Sequence, residues 1–306
     1  MRILATGGAG FIGSHIVEYF QGKAEVRVLD NLRSGFQHNL RGLECEFIQG
    51  SILDRELVRR AMQGVDYVFH LAALVSVAES MQKPVECAET NTIGTLVVLE
   101  EAARAKVKKL VLSSSAAIYG DSPVVPKIEE MPPAPKSPYA ISKLDGEFYC
   151  RMFAAEGGLQ TVCLRYFNVF GPRQDPKSQY AAAIPAFIDR ALKNQPMIIF
   201  GDGEQTRDFI YVKDVAAANA FFAIQSSATG IFNVACGRCI TINNLASTIR
   251  RLTGSSSEIK NAPERPGDVK HSVASVEKLR AAGFAPQLDF RDGLQATIEF
   301  SRCPAL

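Results

Sequence analysis

The stretch "RILATGGAGFIGSHIVEYF" at residues 2–20 places a glycine-rich turn between a short apolar run and an amphipathic segment. Gly7 permits a tight turn, Gly10 lets the backbone approach a pyrophosphate, and Gly13 lets the helix pack close to the strand. The free amides at the start of the helix then receive the phosphates. This strand–turn–helix order predicts the first unit of a dinucleotide-binding α/β fold.

Strands and helices alternate through the first half of the chain. The predicted strands are "RILAT", "EVRVLD", "CEFIQ", "DYVFHLAA", "KKLVLSSS" and "TVCLRYFN", and the segments 54–63 and 85–105 between them are amphipathic. Because these strands are apolar rather than alternating, they predict a parallel sheet covered on both faces. We therefore expect residues 1–168 to form a Rossmann-type, doubly wound parallel sheet that binds NAD.

The regular alternation ends after Asn168, where the polar loop "GPRQDPKSQY" follows. Beyond it, helical segments at 180–194, 213–225 and 241–253 mix with the short strands "MIIFGDG", "DFIYV" and "GIFNVA". We expect residues 169–306 to form a smaller α/β substrate-binding region, with a boundary that allows segments to cross back to the first domain.

Asp30 stands at the end of the second predicted strand, in "VRVLDNL", 17 residues after Gly13. A carboxylate at this place accepts hydrogen bonds from the adenosine ribose and repels a 2′-phosphate, which favours NAD over NADP. The alternative is a strand-end aspartate that only caps a turn. The glycine turn upstream favours the cofactor interpretation.

Tyr139 and Lys143 lie one helical turn apart in "SPYAISKLDGE", residues 137–147, and therefore share a helix face. A phenol with a pKa of about 10 is a poor base at neutral pH, and a nearby ammonium is expected to lower that pKa. The pattern alone also fits an amphipathic helix with a surface tyrosine and lysine.

Charge and cysteine content narrow the class of protein. The 34 basic and 32 acidic residues are scattered and give a net charge of +2, so no basic stripe predicts nucleic-acid binding. No apolar run is long enough for a membrane span, and no signal peptide is recognised. The seven dispersed cysteines fit a reducing cytoplasm. The CxxC of Cys236 and Cys239 lacks the further ligands of a zinc site, so no metal is expected.

The sequence resembles the extended short-chain dehydrogenase/reductase family, and within it the NAD-dependent nucleotide-sugar 4-epimerases such as UDP-glucose/UDP-N-acetylglucosamine 4-epimerases. The motifs that carry the resemblance occur in order along most of the chain: "TGGAGFIGS", "LDNLRSG", "HLAA" at 70–73, "SSSAAIYG" at 113–120, "YAISK" at 139–143, "LRYFNVFGPRQ" at 164–174, "GDGEQTRDFIYVKDV" at 201–215 and "RPGDVKHS" at 265–272.

The resemblance implies a role for each matching position. Ser115, Tyr139 and Lys143 match the catalytic serine, the base and the helper of that base. The residues implied to contact NAD are Gly7, Gly10, Phe11, Ile12, Asp30, Asn31, Leu32, Ser34, Gly35, Ser51, Ile52, Leu71, Ala72, Ala73, Asn91, Ser113, Tyr139, Lys143 and Tyr166. Those implied to contact a UDP-sugar are Ser76, Ser115, Tyr139, Asn168, Ala182, Arg207, Arg265, Asp268 and Ser272.

Two departures from the family pattern concern the cofactor. Gly50-Ser51-Ile52 stands where many relatives have an aspartate that reaches adenine, so a hydroxyl or the backbone has to serve there. Val75 stands where some epimerases have a lysine near the cofactor phosphates.

The positions beside Ser115 distinguish reactions within the family. Dehydratases carry an Asp-Glu pair there and decarboxylases a glutamate, whereas this chain has Ala116 and Ala117. Without a carboxylate for elimination, the reversible hydride step points to epimerisation at carbon 4 of a UDP-hexose. The alternatives are a UDP-glucuronate 4-epimerase, a net NAD-dependent dehydrogenase or reductase, and a binding protein that has lost activity.

The resemblance also has implications for the width of the substrate pocket and for the oligomeric state. Ser272 and Ala182 match small pocket walls, which predicts that UDP-glucose, UDP-galactose and the N-acetylated pair all fit. Segments 85–105 and 138–156 match helices that relatives pair into a homodimer.

Overall fold

A computed structural model describes residues 1–176, 182–264 and 270–302 of the chain. The strands are β1 Arg2–Thr6, β2 Glu25–Asp30, β3 Glu46–Gln49, β4 Tyr67–His70, β5 Lys109–Ser115, β6 Gln160–Tyr166, β7 Asn168–Phe170, β8 Met197–Phe200, β9 Thr206–Arg207, β10 Phe209–Tyr211, β11 Gly230–Val234, β12 Ile240–Thr241, β13 Ile259–Ala262 and β14 His271–Ser272. The α-helices are α1 Phe11–Tyr19, α2 Arg55–Ala61, α3 Val77–Gln82, α4 Pro84–Ala88, α5 Gly94–Arg104, α6 Pro138–Ala155, α7 Ala183–Leu192, α8 Val212–Ala220, α9 Ile242–Thr253, α10 Glu277–Ala281 and α11 Phe290–Arg302.

Seven parallel strands form the central sheet, in the order β11-β6-β5-β4-β1-β2-β3. Successive residues of β1 point to opposite faces, so Ile3 and Ala5 pack in one apolar cluster and Leu4 in another. Ile16 of α1 lies in the first cluster and Val98 of α5 in the second. The predicted doubly wound parallel sheet is confirmed.

The edge strand β11 comes from the second half of the chain and pairs in parallel with β6. This strand is the predicted segment "GIFNVA". It belongs to the second half of the sequence but joins the sheet of the first domain, as the sequence analysis allowed. The division of the chain at that residue stays a prediction. The segment 85–105 is helical, but it consists of α4, a π-helical turn at Glu89–Ile93 and α5 rather than one continuous helix.

The remaining strands form small sheets beside the central one: β7 with β10, β8 with β13, and β9 between β12 and β14. Their apolar core joins α7, α9 and α11 through side chains such as Ile188, Leu245 and Ile298. Over residues 1–176, 182–264 and 270–302, no helix combines the length and the hydropathy that crossing a membrane requires.

Candidate active site

A cavity of about 620 Å³ opens at the carboxyl ends of β1, β2, β4 and β5, where open parallel sheets bind their ligands. Its volume lies in the range of small-molecule sites. The predicted residues that line it are Gly7, Gly10, Phe11, Ile12, Asp30, Asn31, Ser34, Gly35, Ser51, Ile52, Leu71, Ala72, Ala73, Ser113, Ser115, Tyr139, Lys143, Tyr166 and Ala182.

The glycine turn admits no side chain at two of its positions. Gly7 has φ +72°, and a Cβ added there would lie 2.7 Å from the amide nitrogen of Ala72. A Cβ on Gly13 would lie 2.2 Å from the carbonyl oxygen of Gly7. Gly10 precedes α1 without a side-chain cap, which leaves the first amides of the helix available to an anion at the cavity wall.

Asp30 caps a turn and also lines the cavity, so it can serve the turn and a bound ligand together, and its contact with the ribose stays a prediction. One carboxylate oxygen accepts from the Ala9 amide at 2.9 Å and the other from the Leu32 amide at 2.8 Å. Each oxygen keeps a lone pair for a ribose hydroxyl. Burial raises the pKa of Asp30, while these two amides lower it.

Ser115, Tyr139 and Lys143 meet at the inner end of the cavity. Ser115 ends β5, and its hydroxyl accepts from the Ala117 amide at 3.1 Å. The same hydroxyl lies near the Tyr139 phenol and lowers the pKa of that phenol. Tyr139 and Lys143 occupy the first turns of α6, which begins at Pro138 after the Ser137 cap. The Lys143 ammonium lies 5.8 Å from the centre of the Tyr139 ring and donates to the Ser113 carbonyl at 2.8 Å.

Burial has the largest effect on the pKa values of Tyr139 and Lys143. It raises the pKa of Tyr139, and the Ser115 hydrogen bond offsets only part of that rise. Burial also lowers the pKa of Lys143 to about 8. The predicted depression of the tyrosine pKa by Lys143 is therefore wrong for the polypeptide alone, because desolvation of the phenolate outweighs an ammonium that is itself desolvated.

Comparison with known proteins assigns the fold and the cavity to one family. Residues 3–235 match the family described as NAD dependent epimerase/dehydratase. The chain belongs to that family.

Three solved structures illustrate the similarity. UDP-N-acetylglucosamine 4-epimerase from Methanobrevibacter ruminantium, in complex with UDP-N-acetylmuramic acid, is 41% identical with TM-score 0.95, over 98% of both chains. UDP-glucose 4-epimerase from Thermotoga maritima, with UDP-glucose, is 42% identical with TM-score 0.94, over 99% of both. UDP-glucose 4-epimerase from Thermus thermophilus, in complex with NAD, is 41% identical with TM-score 0.91, over 99% of this chain and 100% of that one.

The family member described here is an NAD-using enzyme, and its own residues fit the cofactor. The glycine turn leaves room for a backbone–phosphate approach, and Asp30 offers acceptors to the adenosine ribose. Lys143 stands at the other end of the cavity, beside Tyr139. The predicted departure at Ser51 also lies on the wall, where the Ser51 hydroxyl accepts from the Leu53 amide at 3.2 Å.

Several predicted residues lie away from the wall of this cavity: Leu32, Ser76, Asn91, Asn168, Arg207 and Ser272. The Asn91 amide group accepts from the Leu74 amide at 2.7 Å and donates to the Leu74 carbonyl at 3.0 Å, so it holds the loop after β4. Ser76 caps α3 through the Glu79 amide at 3.1 Å. The ligand contacts of these residues stay predictions, and Arg265 and Asp268 lie outside the described residues.

Two of the predicted substrate residues are direct neighbours. Arg207 on β9 and Ser272 on β14 are partners in the register of their parallel pair. Asn168 on β7 is joined to the same region, because its side-chain amide donates to the Asp208 carbonyl at 3.2 Å. Asp208 in turn accepts from the amides of Cys236, Gly237 and Ala274 and fixes the surrounding loops.

The wall also contains residues that the sequence analysis did not single out: Arg33, Phe36, Asn39, Thr90, Ser114, Phe167, Val169, Arg173, Gln174 and Asp175. Most come from loops, where no periodicity marks an inward-facing position. Arg33 and Arg173 lie in two motifs that carried the resemblance, "LDNLRSG" and "LRYFNVFGPRQ". Their position in these motifs was the one feature of the sequence that could have pointed to them.

Proposed function

We propose that this enzyme inverts carbon 4 of a UDP-hexose, interconverting UDP-glucose and UDP-galactose through a transient 4-keto sugar. The observation that supports this most is that Ser115, Tyr139 and Lys143 lie together on the wall of the NAD cavity, with Ala116 and Ala117 following Ser115 in the chain. Among the described residues of the wall, the acidic side chains are Asp30 and Asp175. Asp30 is held in the glycine turn and Asp175 follows β7, while the two residues after Ser115 are alanines. The positions that follow Ser115 therefore carry no carboxylate for elimination.

The chain's own groups have a defined task in this reaction. Tyr139, assisted by Ser115, takes the proton of the 4-hydroxyl group as carbon 4 loses its hydride, and returns the proton when the hydride comes back. NAD, when bound, supplies the hydride acceptor and donor. Because hydride returns to the other face of carbon 4, the keto sugar has to turn about its diphosphate linkage. This requires a firmly held nucleotide and a loosely held hexose.

Arg207 supports the nucleotide side of this proposal. Its planar guanidinium suits diphosphate oxygens, and similar epimerases have been solved with UDP-sugars. Arg207 Nη1 donates to the Thr206 carbonyl at 2.9 Å, which fixes the side chain at the end of β9.

Ser272 and Ala182 support a wide hexose pocket. Ala182 lines the cavity and Ser272 lies beside Arg207, and both side chains are small. We therefore propose that the enzyme also accepts UDP-N-acetylglucosamine and UDP-N-acetylgalactosamine.

A substrate panel tests this width. We expect turnover of UDP-galactose and UDP-N-acetylgalactosamine and little of UDP-glucuronate. Ser272→Tyr fills the space for a 2-acetamido group and should lower N-acetyl turnover by more than ~10-fold, about 1.4 kcal/mol, while sparing the plain hexoses. Ser256→Tyr, an exposed serine between α9 and β13, is the control and should change neither. Equal loss of both activities in Ser272→Tyr would contradict the proposal that the small Ser272 side chain leaves room for the acetamido group. Preferred turnover of UDP-glucuronate would contradict the proposed substrate.

We also propose that the enzyme is a homodimer and works in the cytoplasm. Helices α4 and α5 both pack against α6, and α4, the π-helical turn and α6 expose large apolar side chains, among them Val85 at 69%, Ile93 at 50%, Ile141 at 48% and Phe148 at 47%. An exposed apolar face of this kind is typical of a protein interface. The described cysteines are free thiols, which fits a reducing compartment.

A further inference from the structure

Arg173 occupies a distinctive place on the wall of the NAD cavity. Three cations line that wall among the described residues: Arg33, Lys143 and Arg173. NAD carries two negative charges on its diphosphate, and the amides at a helix start offset only about half a charge. A further positive group near the glycine turn would stabilise the bound diphosphate.

The other two cations are already engaged. Arg33 forms ion pairs with two carboxylates, Glu79 at 2.7 Å and Glu86. Lys143 lies beside Tyr139 at the reacting end and donates to the Ser113 carbonyl. Arg173 differs because, over the residues that the structure describes, it has one carboxylate partner, Glu18 at 2.8 Å, and its Nη1 lies 3.4 Å from the Ser14 hydroxyl. Ser14 belongs to the first turns of α1, so the guanidinium lies beside the helix start that the glycine turn opens.

The loop that carries Arg173 is fixed against α1. The His15 Nε2 donates to the Pro172 carbonyl at 3.0 Å, and the Gln174 side chain donates to the Val169 carbonyl at 3.3 Å. Arg173 itself has φ +68°, a left-handed conformation that non-glycine residues rarely adopt without surrounding support. The other ring nitrogen of His15, Nδ1, lies 3.3 Å from the Glu18 carboxylate. His15 and Arg173 lower the pKa of Glu18 to about 2, so the carboxylate beside the guanidinium is charged at neutral pH.

We propose that Arg173 binds the diphosphate of NAD and neutralises part of its charge, with Glu18 and Ser14 holding the guanidinium at the start of α1. The guanidinium has five donors and two partners here, so it can keep Glu18 and still donate to a phosphate oxygen. This is a binding role for a loop residue beyond the glycine turn, and it is independent of which sugar the enzyme converts.

Ligand titration separates this role from a purely structural one. Wild type, Arg173→Gln and Arg173→Lys, freed of bound nucleotide, are titrated calorimetrically with NAD, ADP, adenosine and UDP. Lys213→Gln is the matched control, because Lys213 pairs with the same Glu18 at 3.9 Å but does not line the cavity. We expect Arg173→Gln to weaken NAD and ADP about tenfold or more, since a charge-assisted hydrogen bond is lost, and to leave adenosine within about twofold. Arg173→Lys should retain part of the ADP affinity, Lys213→Gln all of it, and added salt should narrow the difference between wild type and Arg173→Gln.

The other outcomes are equally distinct. Equal weakening of ADP and adenosine would show that Arg173 only shapes the cavity, and the proposal would fail. Weakening of UDP with ADP unchanged would place the guanidinium on the substrate's diphosphate instead, which also overturns it.

Discussion

At the scale of a single residue, the burial of Tyr139 opposes the ionisation of its phenol. In the proposed reaction Tyr139 has to reach the 4-hydroxyl group, but the surrounding protein raises the pKa of its phenol and so disfavours the phenolate. Ser115 offsets part of that effect through its hydrogen bond. Lys143 is already present in the polypeptide, so the remaining offset has to come from a further positive charge, which oxidised nicotinamide would supply.

Replacing Tyr139 by phenylalanine removes the proton acceptor and keeps the ring. We expect turnover to fall by at least ~10³-fold while NAD binding is retained, because the phenol acts on the substrate and the ring still forms the cavity wall. Steady-state rates together with NAD titration measure both effects. Tyr149→Phe on the same helix, α6, is the control and should keep its activity. A Tyr139→Phe enzyme with more than a tenth of wild-type turnover would mean that another group is the base.

At the scale of elements, a buried ion pair links α6 to the sheet. Glu147 lies one turn beyond Lys143 and accepts from Arg165 of β6 at 2.7 and 2.8 Å and from the Ser114 hydroxyl of β5 at 2.6 Å. Both charged side chains are almost completely buried. The network therefore holds the helix that carries Tyr139 against the strand that ends at Ser115.

Glu147→Gln leaves the Arg165 charge buried with a neutral partner. Breaking a buried pair from one side costs about 3–5 kcal/mol, so we expect a loss of that order in the free energy of unfolding, measured with urea. Glu258→Gln removes one partner of an exposed pair, Glu258 with Lys260, and should cost less than about 1 kcal/mol. If the two variants lose equal stability, the Glu147–Arg165 pair is not a strong link between α6 and the sheet.

The elements were predictable from sequence to different degrees. The strands of the first half follow from apolar runs, and the glycine turn and Asp30 follow from spacing, because local backbone geometry restricts which residues fit. The short strands β9, β12 and β14, like the inward-facing loop residues Arg33 and Arg173, depend on contacts between distant segments. Asn91 was predicted to contact NAD, but the pattern could not show that its amide group bonds to Leu74.

At the scale of the whole molecule, the exposed apolar face formed by α4, the π-helical turn and α6 predicts association. Phe148→Glu places a charge in the middle of that face and should shift the protein from dimer to monomer, because burying an unpaired carboxylate is costly. Sedimentation velocity at micromolar concentration measures the change. Val124→Glu alters an exposed apolar residue outside these helices and should leave the dimer intact. A monomeric wild type, or a Phe148→Glu protein that stays dimeric, would contradict this interface.

The central claim is that hydride leaves carbon 4 and returns to the opposite face of the same carbon. UDP-galactose carrying deuterium at carbon 4 tests it most directly, with the UDP-glucose product analysed by mass spectrometry and NMR and the reduced-nicotinamide absorbance followed in parallel. The account predicts that deuterium stays at carbon 4 of the product, that no hydrogen comes from solvent, and that the absorbance shows no net change after turnover. Loss of the label to water, or reduced nicotinamide accumulating in step with a released ketone, would contradict it.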